Sequence, residues 1–316
     1  MSNQATTFDA AGQELPSVDS SRQRAGRATL GRVLRQRSAV AGLAILGFLF
    51  VVAVFADVIA THPPNMPLLG VEPGARLRDT PCIHILGCPP EKAEHYFGLD
   101  GNARDVFSRI VHGARISLSA GFLIVGWSIV VGMGIGAIAG YVGGWIDNIM
   151  MRVMDMLLAF PALLLAIVIV AVLGPGLTNA MLAIGVVSIP VYARVMRSSV
   201  LSVREQDYVT AARALGDSSS SILRRRVIPN AITPLIVQAT LGVGSAVLEI
   251  AALSFIGLTA IAPNAEWGSM IALERNQLFT SPHLVFIPGV AITLTVLGFN
   301  LFGDGLRDAF DPRLSR

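Results

Sequence analysis

Charge is what this sequence has least of: 14% of its 316 residues are Asp, Glu, Lys or Arg, against about 25% in an ordinary soluble domain. With 53% hydrophobic residues and a mean hydropathy of +0.63, a soluble fold would have to hide nearly every residue, yet single cores stop growing at about 250–300 residues. Lipid removes the conflict. Lysine is nearly missing: Lys92 stands alone among 24 basic residues, the rest being Arg. Net charge is only +3 although the pI is near 9.2, so the arginines read as a topology signal and not as a nucleic-acid surface. Histidine is scarce, and His62, His84, His95, His112 and His283 all fall outside the apolar runs. No imidazole is then available for an intramembrane metalloprotease, nor as a base for a buried serine nucleophile. A glycine-rich Lys-Ser/Thr phosphate loop is missing as well, so the chain is not expected to bind ATP itself.

What is present is six charge-free apolar runs, 39–56, 117–141, 156–173, 178–193, 231–248 and 284–303. At 1.5 Å per residue most approach the roughly 20 residues that cross about 30 Å of hydrocarbon, and the fourth needs its flanks. The expectation is an all-α polytopic membrane protein with six transmembrane helices. An even number puts both termini on one side. Seventeen Arg fall on that side, in the tail 1–38, at Arg152, in the segment 194–230 and in the tail 304–316; the other side carries seven Lys and Arg. The termini are therefore expected in the cytoplasm. The division that follows is a tail 1–38, a first transmembrane helix 39–60 and an extracytoplasmic loop 61–116. A transmembrane core 117–303 with its cytoplasmic loop 194–230 comes next, then the tail 304–316. The tail 1–38 has no apolar core for a cleavable signal. Within the loop 61–116, Phe107, Ile110 and Val111 share a helical face against Arg104, Asp105, Arg109 and Arg115, which predicts an interfacial helix ahead of the second span.

Some residues invite chemistry. Cys82 and Cys88 share a loop with His84 and His95, in the order Cys82-x-His84-x3-Cys88-x6-His95. A local disulfide is the first reading on an oxidising face, with free thiols or a metal site as alternatives. Gly132, Gly136 and Gly140 recur every four residues and predict a close helix contact. Glu249 lies late in the fifth run; a gate in a translocation path and a carboxylate solvated near the outer interface compete as its role. The loop 194–230 is unusual: Tyr208-Val209-Thr210-Ala211-Ala212-Arg213-Ala214-Leu215-Gly216 is rich in small residues. Val209, Ala212 and Leu215 fall at helical spacing, Gly216 can end a helix with φ > 0, and Asp217 or a following serine can cap a second one. A compact helix-turn-helix of this kind suits docking into a groove on another protein.

This loop resembles the signature of importer-type ATP-binding-cassette permeases, a Glu-Ala-Ala-x3-Gly box followed thirteen residues later by Pro. Ala211, Ala212, Gly216 and Pro229 sit in that register, with Thr210 in place of Glu. The run Phe97-Gly98-Leu99-Asp100-Gly101-Asn102-Ala103-Arg104-Asp105, followed by Ser108-Arg109 and Gly113-Ala114-Arg115-Ile116-Ser117-Leu118, is similar to the Gly-Thr-Asp…Gly-Arg-Asp…Ser-Arg…Gly-x-Arg-x-Ser-Leu run of dipeptide and oligopeptide permeases. Leu99 and Ala103 depart from it. Leu253-Ser254-Phe255-Ile256-Gly257-Leu258, Trp267-Gly268-Ser269-Met270 and the ending from Gly303 through Asp311-Pro312-Arg313 are similar to the C-type subunit of those transporters. The resemblance implies the type I importer architecture and a non-enzymatic permease of a bacterial cytoplasmic membrane. It also implies a second homologous permease, two cytoplasmic ATPases that hold ATP and Mg, and an extracytoplasmic substrate-binding protein. Tyr208, Ala211, Ala212, Arg213, Ala214, Leu215, Gly216, Asp217, Pro229 and Asn230 would then couple the permease to an ATPase. Di- or oligopeptides are the expected substrates, with nickel or another small solute as the alternative; a secondary transporter is the weaker alternative, since it usually shows inverted repeats, of which none is evident, and ion-coupling carboxylates, of which only Glu249 lies inside a span away from the cytoplasmic end.

Overall fold

A computed structural model describes residues 31, 33–259 and 264–310. Most of the tail 1–38, with the arginines before Arg35 that weigh in the topology count, and the final Asp311, Pro312 and Arg313 lie outside the described residues. Among the described residues there is no strand, only isolated bridges pairing Cys82 with His95 and Leu99 with Asp105. The rest is helix and loop, as a chain must be when lipid offers its backbone no hydrogen bonds.

The first long helix, α1 (Arg37–Val54), continues into a short α2 (Ala56–Ile59). Next comes α3 (Val106–Val142), about 55 Å long at 1.5 Å per residue. It overruns the predicted second span at its N-terminal end. The stretch 104–115 is thus not a separate interfacial helix: from Val106 onward its residues form the loop end of the span's own helix. No breaker intervenes, and Gly113 is there because the Trp267 indole packs against it, 2.6 Å from where a Cβ would stand. Asp105 caps α3 by accepting the Ser108 N–H at 2.7 Å, and Gly143 at φ +71° ends it.

The predicted third span, 156–173, is not one straight helix. It falls across α4 (Gly144–Leu158) and α5 (Ala162–Leu173), which meet at 90°. Pro161 sits before α5 without an N–H to continue α4, and α5 alone reaches only about 18 Å. Among the described residues five other helices are long and apolar enough to cross a membrane, and the bent pair makes six if it counts as one. The fourth run is the first half of α6 (Leu177–Arg204), which continues beyond it to Arg204. That polar extension is held by α4: Arg197 Nε and Nη2 donate to both oxygens of Asp147 at 2.5 and 2.6 Å, and Arg194 pairs with Asp155 at 2.5 Å. Past α6 come α7 (Asp207–Ala214), α8 (Ser219–Ile222), a π-helical turn Leu223–Val227 and α9 (Ile228–Ala231). Then follow α10 (Thr233–Phe255), α11 (Trp267–Glu274) and α12 (His283–Phe310).

Glycine sets the closest approaches. The predicted stripe on α3 lies against α6: a Cβ on Gly132 would stand 2.7 Å from the Tyr192 Cβ, one on Gly136 2.8 Å from the Met196 Cβ, and one on Gly140 2.9 Å from the Arg197 carbonyl oxygen. A similar seam joins α1 to α12, where Gly42 abuts the backbone of Phe302 and Gly298 abuts Ile45 and Leu46. Hydrophobic burial adds nothing between helices in lipid, so close van der Waals packing has to hold them. Outside these seams the apolar surface stays exposed, as at Phe48, Phe50, Phe122 and Phe286.

Candidate functional site

The segment after α6 is a helical hairpin. Its first arm, α7, ends in a motif that needs glycine: the Gly216 N–H reaches the Arg213 carbonyl at 3.1 Å and the Asp217 N–H reaches the Ala212 carbonyl at 3.2 Å, with Gly216 at φ +87°. This is a Schellman closure, in which only a residue tolerant of the left-handed region lets the chain turn back. Ser218 then caps α8 by accepting the Ser221 N–H at 3.4 Å. Asp217 pairs with Arg226 at 2.8 Å and so ties the turn to the second arm. Val209, Ala212, Ile222 and Val227 are buried and hold the hairpin to the body.

The other face is open. Tyr208, Ala211, Arg213, Ala214, Leu215, Gly216, Pro229 and Asn230 are exposed, Leu215 at 85%. Leu215 thus leaves the face that the spacing predicted for it with Val209 and Ala212, because it is the residue at which α7 stops and the chain swings away. Asn230 donates to the Arg226 carbonyl at 2.5 Å. Next to the hairpin, Ser198, Ser199, Ser202, Asn230, Gln238 and Arg307 line a hollow of about 790 Å³.

At the opposite end of the bundle, the run 97–109 is a stitched turn. Asp100 Oδ1 accepts the N–H groups of Asn102 and Arg104, both at 2.9 Å, while its Oδ2 takes Arg104 Nε at 2.7 Å and stands 3.5 Å from Arg109 Nε. Arg109 also donates to the carbonyls of Pro64 and Asn264. Glu274 accepts from Arg78 Nε and from the Gly101 N–H, both at 2.8 Å. Glu266 caps α11 through the N–H groups of Gly268 and Ser269; burial pushes its carboxyl up, opposed by hydrogen bonds from Ser254, Gly268 and Ser269. Arg78 and Glu274 had no signal in the sequence, because they are partners 196 residues apart; Glu266, a local cap, went unread although its partners are two and three residues away.

Cys82 and Cys88 are bonded, with Cα atoms 5.3 Å apart. The four-residue Cys/His metal alternative does not assemble, since His84 turns to Glu94 and the Lys92 carbonyl while His95 turns to Glu72 and Asp105.

The family described as "Binding-protein-dependent transport system inner membrane component" matches residues 132–316, a stretch that holds the whole hairpin. The chain belongs to that family. Residues 25–73 match "N-terminal TM domain of oligopeptide transport permease C". The permease is 43% identical over 288 residues to a dipeptide transport system permease protein of Alkalihalophilus pseudofirmus, covering 91% of this chain and 90% of that one. It is 42% identical over 274 residues to a probable D,D-dipeptide transport system permease protein of Escherichia coli, covering 87% of each. A glutathione transport system permease protein of E. coli is 39% identical over 283 residues, with 90% of this chain and 89% of that one covered. The fold is similar to an inward-facing structure of the MetNI methionine ABC transporter, with a TM-score of 0.54 and 18% identity, covering 64% of this chain and 97% of that one.

In this permease Glu249 lies six residues before the end of α10, toward the stitched end. It is partly buried and close enough to Tyr192 of α6 for the two groups to interact electrostatically. Among the described residues no ion pair or hydrogen bond reaches its carboxylate. A cavity of about 610 Å³ opens between α1, α3, α10 and α12, and its lining is almost wholly apolar, from Leu43 and Phe50 to Phe122 and Phe299.

Proposed function

We propose that this permease is one of the two membrane subunits of an ATP-driven importer for di- or oligopeptides in a bacterial cytoplasmic membrane. The hairpin supports this reading most directly: a capped, internally tied helix pair whose buried face is fixed to α6 and whose open face carries small residues and one exposed leucine. Such a face suits seating in a groove of a cytoplasmic ATPase. Closure of two ATPases, which hold ATP and Mg, would then move this permease against a homologous second one as rigid bodies, with no covalent chemistry in this chain. Tyr208, Ala211–Asp217, Pro229 and Asn230 form the coupling segment, both termini lie in the cytoplasm, and the stitched loops at the other end receive an extracytoplasmic binding protein. Glu249 gates the path between these ends. The relatives are named for dipeptides and for glutathione, which favours peptide-like substrates over a bare cation.

The test is uptake by the complex reconstituted with a sister permease, ATPases and a binding protein from the same organism. ATP-dependent accumulation of a labelled dipeptide is expected. A complex that assembles and hydrolyses ATP but accumulates neither di- nor oligopeptides refutes the substrate class. Orientation is read separately: a single cysteine at Ser219 should resist an impermeant maleimide in intact cells, and labelling there refutes the sidedness.

A further inference from the structure

The loop ahead of α3 gathers two imidazoles and two carboxylates that the transport reading does not use. His95 and Asp105 are almost wholly buried, and His62 and Glu72 are about four-fifths buried. Glu72 stands between the two rings, with Oε1 2.9 Å from His62 Nε2 and Oε2 3.0 Å from His95 Nε2. Each ring thus turns its Nε2 to one shared carboxylate and its Nδ1 the other way. His95 Nδ1 lies 3.1 Å from Asp105 Oδ1. His62 Nδ1 lies 2.9 Å from Thr61 Oγ1, which is itself 3.3 Å from Asp105 Oδ2. One donor atom from each of His62, His95 and Asp105 falls within 4.8 Å of the other two.

We propose that His62, His95 and Asp105 bind one divalent transition-metal cation of the zinc class, and that Glu72 orients both imidazoles for it. The spacing fits. Ligand atoms 2.0–2.1 Å from a tetrahedral zinc stand about 3.3 Å from one another, close to the edge between His95 Nδ1 and Asp105 Oδ1. The outer partner fits at His62, because a metal-bound imidazole commonly donates its second N–H to a carboxylate and Glu72 Oε1 stands 2.9 Å from His62 Nε2; on the His95 side Glu72 Oε2 is 3.0 Å from Nε2. Asp105 can serve two masters: its Oδ2 takes the Ser108 N–H that caps α3, and its Oδ1 faces the imidazole.

Hydrogen bonds within the cluster leave one pair unmade. His95 Nε2 and Glu72 Oε2 are buried and 3.0 Å apart, yet out of hydrogen-bonding alignment. With neutral imidazoles the cluster holds two carboxylate charges, which a dication balances. The donor set of two nitrogens and one oxygen favours zinc, nickel or copper over calcium or magnesium, which prefer oxygen alone. Three protein ligands leave one position for Thr61 or water. The bound ion would fasten 61–62 and 95 to the first turn of α3, so its role is to brace the receiving end of the permease.

The experiment uses the purified full-length permease in detergent, stripped with chelator and then titrated with Co²⁺ and Zn²⁺. One Co²⁺ per chain with the visible absorption of a four-coordinate site is expected, displaced by one Zn²⁺. His62→Gln, at a partly exposed ligand, should weaken Zn²⁺ binding at least tenfold, as should Glu72→Gln, which removes the orienting carboxylate. Both should keep the helical circular dichroism of the parent. His84→Gln, whose ring lies outside the cluster, should bind like the parent. Absence of saturable binding to the folded parent overturns the proposal, as does unchanged affinity in a folded His62→Gln chain.

Discussion

Replacing Gly216 by aspartate separates docking from folding. Gly216 sits at φ +87°, and a Cβ built there meets nothing within 4 Å, so inside this chain the substitution costs conformation and not volume. A left-handed L-residue costs about 1–2 kcal/mol, and Asp is among the residues that bear it best. Against a native stability on the order of 5–15 kcal/mol, the chain should still fold and pair with its sister subunit. A side chain seated in an ATPase groove meets a different limit, because overpacking a close contact costs a further 1–3 kcal/mol or so and a new charge must be desolvated. Each 1.4 kcal/mol is about tenfold in binding, so coupling should fall by tenfold or more while abundance holds. Two companions decide which term acts. Gly216→Asn keeps the tolerance for positive φ but adds bulk, and Gly216→Ala adds little bulk but tolerates positive φ less well. If docking governs, peptide uptake and substrate-stimulated ATP hydrolysis rank Ala above Asn and Asp. If helix closure governs, Asn outranks Ala. Assembled Gly216→Asp permease that transports at the parental rate refutes the coupling role altogether.

The α3–α6 seam predicts that Gly136→Leu loses most of the monodisperse chain on detergent size exclusion, since its Cβ alone would stand 2.8 Å from that of Met196, whereas Gly134→Leu, with nothing within 4 Å, behaves like the parent. Equal yields for the two would refute close packing at that seam. Ala103 is buried at φ +53°, so Ala103→Gly should relieve about 1–2 kcal/mol of backbone cost while giving up about 0.8 kcal/mol of buried methyl. A small rise in the melting midpoint is expected, and a fall would refute strain at that residue.

The spans were legible because lipid reduces the folding problem to one variable along the chain: α1, α10 and α12 follow their apolar runs to within a few residues at one or both ends. Hydropathy does not register what breaks or prolongs a helix. Pro161 and the paired glycines Gly143 and Gly144 interrupt without changing mean apolarity, and the bent α4–α5 pair follows from them. Conversely α3 runs on through 106–116 although its polarity suggested a separate element, because Arg109 is buried against the carbonyls of Pro64 and Asn264 and Arg115 pairs with Asp57 and the end of α1. The same holds for α6, whose arginines extend the helix past the apolar run with Asp147 and Asp155 as partners.

The two ends of the molecule differ in legibility for one physical reason. The hairpin is built from local chemistry: its cap, turn and second cap lie within about a dozen residues, and each has a known residue preference, so Gly216 and the serines could be read in order. The loop end is built from pairs that the chain brings together only after folding, such as Arg78 with Glu274 and Arg109 with Asn264. The Asp100, Arg104 and Asp105 run was recognisable as a motif, but its reason was not. In the structure it holds the start of α3 in place, and the departure at Ala103 shows the constraint plainly. Where the similar run has glycine this chain has alanine, and the backbone still adopts the left-handed conformation, so the turn is imposed by the hydrogen bonds of Asp100 and not by the residue at its bend.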